Sequence, residues 1–242
     1  MTAIYEKNRF NDENCPNKVA IEEMFTTYAG QRMASDALSI TGPNYKRHAK
    51  NIIPKIVRTK ASTFTVVEIE KGTMNIILAE AKQCSITVEH RLECRYKSPI
   101  FYLGNVSGIA RSFRFEDLDL TCTWDQAFPI FHDRLLKQSK TRSRQKCMIF
   151  TVSERNGCGS ENMIKGINSL LAILHAKISG FNNVQEGFNI DNKVCNNREN
   201  SERRSYRYVQ DPDWVKHGRI HHMEAFKYKD ESPMFTFMIM YI

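Results

Sequence analysis

Between positions 62 and 124 the chain stops placing its apolar residues at helical spacing and begins to alternate them. This change of period limits the fold more than any other feature of the sequence. Residues 84–96 set Ile86, Val88, His90, Leu92, Cys94 and Tyr96 against polar neighbours. That is the period of two a half-buried strand requires, because successive side chains leave opposite faces. Residues 64–70 and 73–80 flank Lys71-Gly72 as the arms of a predicted hairpin. Further short strands are predicted at 100–103, 109–115, 118–124 and 147–153, and strand-like pieces close the chain at 206–209, 223–228 and 234–242.

Helical spacing returns on either side of this block. Over 18–39, Ile21, Met24, Phe25, Tyr28 and Met33 share one stripe, which Gly30 interrupts. A short helix is predicted over 128–137 with Pro129 in its first turn, where a missing N–H costs nothing. The best-marked helix covers 161–178, where Ile164, Ile167, Leu170, Leu171, Leu174 and Ile178 form a continuous face. Ser160 is a natural N-cap for it, Lys177 complements the C-terminal dipole, and Gly180 is a natural stop. Strands clustered rather than strictly alternating with helices point to the α+β class: a mixed, mainly antiparallel sheet packed with a few helices. A polar arm over 1–17 is expected to precede one domain over 18–242, with a candidate sub-boundary near 138–146. The 242 residues, 41% of them hydrophobic, suffice for one substantial core.

Charge supplies the next constraint. Lys and Arg number 35 against 27 Asp and Glu, a formal charge of +8. Its distribution matters more than its size. The run 134–146 holds Arg134, Lys137, Lys140, Arg142, Arg144 and Lys146 with no acid among them. A second acid-free segment carries Lys46, Arg47, His48, Lys50, Lys55, Arg58 and Lys60. Such segments set several cations against phosphates, so Arg134 to Lys146, helped by Lys46 to Lys60, are the candidate polyanion-binding residues. A solvated loop between a helix and a strand explains the first run equally simply. Arg203, Arg204 and Arg207 beside Tyr206 and Tyr208 form a weaker patch, diluted by Glu199 and Glu202.

Catalytic signatures are sparse. The segment 76–82, read as a strand ending in Glu80-Ala-Lys82 with Glu68 and Glu70 on its neighbour, resembles the ExK half of the PD-(D/E)xK nucleases. In that family two acids hold a divalent metal and the lysine assists the attacking water. No PD dipeptide precedes the strand. His221 and His222 point to opposite faces if they lie on a strand, so they do not chelate one metal together. His217 and Glu224 complete no ligand set of familiar spacing. Cys158, in Asn156-Gly-Cys-Gly-Ser160, precedes a helix whose dipole lowers a thiol pKa, and a capped turn explains the same residues. Seven cysteines at irregular spacing argue against a disulfide framework and for a reducing compartment. No signal peptide and no apolar span of membrane length is read. The apolar end, 235–242, is expected to be a core strand, with a strand exchanged between subunits or a contact surface as alternatives.

Modest size, a polar arm, a basic α+β body, free cysteines and no catalytic motif together resemble the matrix proteins of plant-infecting rhabdoviruses. Gly42-Pro43-Asn44-Tyr45 supplies only the last three positions of that family's PPxY motif. The resemblance implies a non-enzymatic viral assembly protein of the virion. It would bind RNA or ribonucleoprotein, or an anionic membrane face, and self-associate. It implies no cofactor, metal or small-molecule substrate, and a place in the host nucleus or cytoplasm. A movement protein or silencing suppressor that binds RNA, and a metal-dependent nuclease, are the alternatives.

Overall fold

The computed structural model describes residues 15–33, 36–40, 53–57, 64–68, 71–83, 88–92, 109–140, 144–153, 160–176, 182–186, 204–207, 219–230 and 233–242, and the following account concerns these. The first helix, α1 (Pro16–Arg32), opens with proline at a position where its missing N–H is no loss. It begins inside the segment expected to be an arm, and it stops well short of residue 39. Ala37–Ser39 instead forms β1, buried along its whole length. A strand buried on both faces has no amphipathic signature, so its apolar residues read as the end of the preceding helix. Gly30 has a packing reason: a Cβ there would lie 2.9 Å from the carbonyl oxygen of Lys55 in the short helix α2 (Ile53–Ile56).

The strand β2 (Phe64–Glu68) lies where the alternation predicts one, but the hairpin does not form. Its second arm is the helix α3 (Lys71–Gln83). Met74 and Ile77 face inward and Leu78 is half-buried, while Asn75, Ile76 and Ala79 are exposed. The following strand, β3 (Val88–Leu92), pairs parallel to β2, and parallel neighbours need a crossover that a two-residue turn cannot supply. Glu80 and Lys82 therefore sit on a helix, and the strand-borne ExK geometry of the nuclease reading is absent.

The long strand β4 (Phe115–Thr123) runs directly into α4 (Trp124–Ser139), whose Gln126 side chain accepts from the Thr123 N–H at 3.4 Å. The helix starts earlier than predicted, so Pro129 lies inside it, on the exposed side. Next come β5 (Lys146–Ser153) and α5 (Ser160–Ala172). The latter ends before Gly180. The Ala176 N–H donates to the Leu171 carbonyl and the His175 N–H to that of Ala172, with His175 at φ 55°. This is a Schellman termination with histidine in the left-handed position glycine usually takes. The strands β6 (Asn182–Glu186), β7 (Arg204–Arg207), β8 (Ile220–Lys229) and β9 (Pro233–Tyr241) complete the chain.

Among the described residues nine strands form one sheet in the order β3-β2-β1-β4-β5-β9-β8-β7-β6. The first five are mutually parallel. From β9 onward every pairing is antiparallel. Mixed pairing was expected, but the class is corrected from α+β to α/β, because the parallel half is wound by helices on both faces. On one face α1, α2 and α3 bury Ile21, Phe25, Ile56, Met74 and Ile77 against Phe64, Phe115, Ile149 and Met238. On the other, α4, α5 and the turn after α5 bury Phe131, Leu135, Leu170 and Leu174 against Leu118, Phe150 and Phe237. Phe150 stacks on Phe237 at 4.7 Å and meets Phe131 edge-on at 4.4 Å. The apolar C-terminus is the core strand β9, clamped between β5 and β8.

Candidate functional site

In a doubly wound sheet the crevice for a ligand opens where the strand order reverses, outside the carboxyl ends of the strands. Here that place lies between β1, whose chain continues toward β2 and β3, and β4, whose chain continues the other way. The last register pair of β1 with β4 is Ser39 with Asp117, and the Ser39 Oγ lies 3.5 Å from the Asp117 Oδ2, both residues being buried. One strand away, β2 ends in Glu68, which is 8% exposed. Two residues beyond Asp117, on the same face of β4, stands Asp119, level with Thr151 of β5. Glu68, Asp117 and Asp119 thus line one edge and one face of the sheet around the reversal.

The first turn of α1 reaches this edge from above. Its Lys18 Nζ pairs with the Asp119 Oδ2. The backbone N–H groups of Asn17 and Lys18 donate to the two carboxylate oxygens of Asp230, at 3.1 and 3.0 Å, where β8 turns toward β9. Burial raises the Asp230 pKa, and the hydrogen bonds from Lys18 and Asn17 oppose that rise. Beneath the helix a buried hydroxyl chain crosses three strands. Tyr228 Oη lies 3.0 Å from Thr236 Oγ1, which lies 2.9 Å from Thr151 Oγ1. Burial holds the Tyr228 phenol well above its ordinary pKa, and the nearby Asp119, Asp230 and Glu22 push it the same way.

Of the expected polyanion-binding residues, Arg134, Lys137, Lys140, Arg144, Lys146 and Lys55 are described. Arg134 is fully buried, as is its partner Glu116 at the amino-terminal edge of β4. Its guanidinium grips both Glu116 carboxylate oxygens, Nε donating at 3.0 Å, and also donates to the carbonyls of Ile109 at 2.5 Å and Arg111 at 3.2 Å. Gln138 donates to the same carboxylate, and buried Lys146 donates to the Gln138 carbonyl. Burial, then the charge of Arg219, lowers the Lys146 pKa to about 8, with Glu116 opposing. Burial pushes Glu116 up against the pull of Arg134. Lys137 pairs with Asp133 one turn back along α4, at 2.8 Å. Lys140 and Arg144 are exposed, and Arg142 lies outside the described residues. Two of the six cations are therefore interior, so the run is not the uniformly solvent-facing segment that the charge pattern suggests. Of the second segment, Lys55 donates to the Thr27 hydroxyl at 2.8 Å. Lys46, Arg47, Lys50, Arg58 and Lys60 lie outside the described residues, as does Cys158.

His222 stacks on Tyr28 of α1 at 4.1 Å, with its Nε2 3.3 Å from Glu224, while its neighbour His221 is exposed. Among the described residues no cluster of three metal-ligating side chains occurs. Sequence reasoning singled out Glu68 for other reasons and missed Asp117, Asp119, Lys18 and Asp230. The signal for the first two was the acid spacing in Glu116-Asp117-Leu118-Asp119, unusual inside a strand that must pack on both faces.

No family model and no curated protein sequence matches the chain. Solved structures do resemble it. The crystal structure of M. jannaschii TYW2 in complex with AdoMet aligns over 97% of this chain and 78% of its own, at 8% identity and a TM-score of 0.50. A putative O-methyltransferase from Klebsiella pneumoniae (93% and 80% covered) and a putative RNA methyltransferase from Pyrococcus horikoshii (93% and 83%) both align at 8% identity, with TM-scores of 0.48. At such identity the likeness is one of fold. It overturns the resemblance to rhabdovirus matrix proteins, and with it the expectations of a non-enzymatic virion protein and of no small-molecule ligand. No helix among the described residues is long and apolar enough to cross a membrane. The chain shares the doubly wound fold of the AdoMet-bound M. jannaschii protein.

Proposed function

We propose that this chain is a methyltransferase that uses S-adenosylmethionine. The observation that carries the reading is Glu68, a buried carboxylate at the carboxyl end of β2, one strand from the reversal between β1 and β4. In doubly wound folds an acid at this place accepts hydrogen bonds from the hydroxyls of a nucleoside ribose. The similar M. jannaschii protein was solved in complex with AdoMet.

The residues present suit a nucleoside that lacks phosphate. A dinucleotide site uses a glycine-rich turn so that backbone can close on the pyrophosphate. The segment between β1 and α2 contains one glycine, Gly42, and no G-x-G-x-x-G spacing. S-adenosylmethionine carries no phosphate and supplies, when bound, a methyl group on a positively charged sulfur. Glu68 would hold the ribose hydroxyls. Asp117, fixed by Ser39, and Asp119 would set negative charge beside a cationic ligand, in a setting where burial strengthens the attraction.

Isothermal titration of the full chain with S-adenosylmethionine, S-adenosylhomocysteine and NAD tests the reading. The two adenosyl ligands should bind and NAD should not. Glu68→Gln should weaken binding roughly ten- to hundredfold, the worth of hydrogen bonds to a charged group. Binding of NAD alone, or full affinity in Glu68→Gln, would sink it.

A further inference from the structure

The amino end of α1 cannot cap itself. Its N-cap residue is Cys15, whose side chain makes no capping hydrogen bond, and Pro16 has no N–H to offer. The next two backbone N–H groups, of Asn17 and Lys18, are satisfied from 213 and 212 residues away by the two oxygens of Asp230. A carboxylate there also meets the positive end of the helix dipole. The same turn sends Lys18 to the Asp119 Oδ2. The other carboxylate oxygen of Asp119, Oδ1, is buried and has no hydrogen-bond partner among the described residues. A buried acceptor left unmatched beside the crevice carries a desolvation cost that a donor reaching it would offset.

We propose that the first turn of α1 is a releasable strap across the carboxyl edge of the sheet, fastened at Asp230 and at Asp119, which shields Asp119 until the strap lifts. Three features support this. The turn's local structure depends on a partner outside the helix, so it loses its cap when it leaves Asp230. The other end of α1 is held independently: Tyr28 stacks on His222 of β8 at 4.1 Å. Midway, Ile21, Phe25 and Ala29 are fully buried, which keeps the body of the helix in place while its first turn moves. Lifting the strap exposes the unmatched oxygen of Asp119 at the crevice. The strap stands on its own geometry, whereas its gating of a ligand rests on the cofactor reading above.

Hydrogen–deuterium exchange of the full chain, followed by mass spectrometry, tests the strap without any ligand. In Asp230→Ala the peptide covering residues 15–22 should exchange about tenfold faster, the usual effect of removing a helix cap. Peptides from α4 and β5 should keep their wild-type rates. Lys18→Met, which leaves the cap intact, should speed the same peptide by a smaller factor. Unchanged exchange at 15–22 in both variants, or an equal rise throughout the chain in both, would overturn the strap. Stopped-flow binding of S-adenosylhomocysteine then reads the gating. Faster association in Lys18→Met supports it, and association at the wild-type rate in both variants overturns it. A wild-type chain that binds no S-adenosylhomocysteine would remove the cofactor reading and the gating together, while the exchange result would still decide the strap.

Discussion

Glu116 and Asp119 stand three residues apart on β4, one toward each edge of the sheet, and their surroundings differ in every respect that matters. Glu116 is wholly buried, and both its oxygens are taken by Arg134 with Gln138 adding a third donor. The network extends through Lys146 and Gln138 and ties the start of β4, the end of α4 and the start of β5 into one unit. Asp119 has one oxygen paired with Lys18 and the other buried without a partner among the described residues. A saturated buried carboxylate holds structure together, and a half-matched one at the carboxyl edge keeps bonding capacity in reserve. On the proposed reading, the amino-terminal edge serves stability and the carboxyl edge a ligand.

The largest test of this contrast is Arg134→Met. Removing one partner leaves Glu116 buried and uncompensated, so urea unfolding should show a loss of about 3–5 kcal/mol. Glu68→Gln, at the other edge, should cost less than about 1 kcal/mol in the same assay while it damages ligand binding. Similar losses from the two substitutions would erase the distinction between the edges.

A smaller effect separates the edges by pH. Lys146 titrates near 8 in the folded chain against an ordinary value of 10.5. Between those values the unfolded chain holds a proton that the folded chain has released, so stability rises with pH across that window. The slope should reach up to about 1.4 kcal/mol per pH unit. Unfolding curves between pH 7.5 and pH 10.5, chosen as roughly that window, should show the rise in the wild type and lose it in Lys146→Met. The smallest change concerns the same edge, where the Leu174 carbonyl accepts from the Arg219 N–H at 3.1 Å. His175→Gly relieves a left-handed residue at the end of α5 and should stabilise by about 0.5–1 kcal/mol, read as a small rise in Tm. A loss of stability instead would show that the imidazole itself supports this corner.

Much of the fold is legible in the sequence where side chains have one wet face. The core of α5 follows from period, while the strand predicted at 147–153 and the closing strand β9 follow from continuous β-prone apolar runs, both being buried along their described length. The errors fall where that signal vanishes. Ala37–Ser39 is buried on both faces and reads as helix, and 71–83 was assigned by its place after a strand despite its run of helix formers. The interior place of two cations in the basic run was illegible for a related reason. Counting charges along the chain does not show that Arg134 turns inward to Glu116, eighteen residues earlier. The site was less legible still, because Glu68, Asp119, Lys18 and Asp230 come from four distant segments.

By itself the sequence determined which stretches are amphipathic, that the chain holds enough apolar residues for one core, and where β9 must hide its apolar residues. Only the tertiary structure decided that the strands run parallel at first and antiparallel later, and that the order reverses beside β1. It also decided which acids are quenched and which are left with capacity. The physical reason is that period and composition are properties of neighbours along the chain. Strand order and the pairing of buried charges are instead fixed by contacts between residues far apart in it.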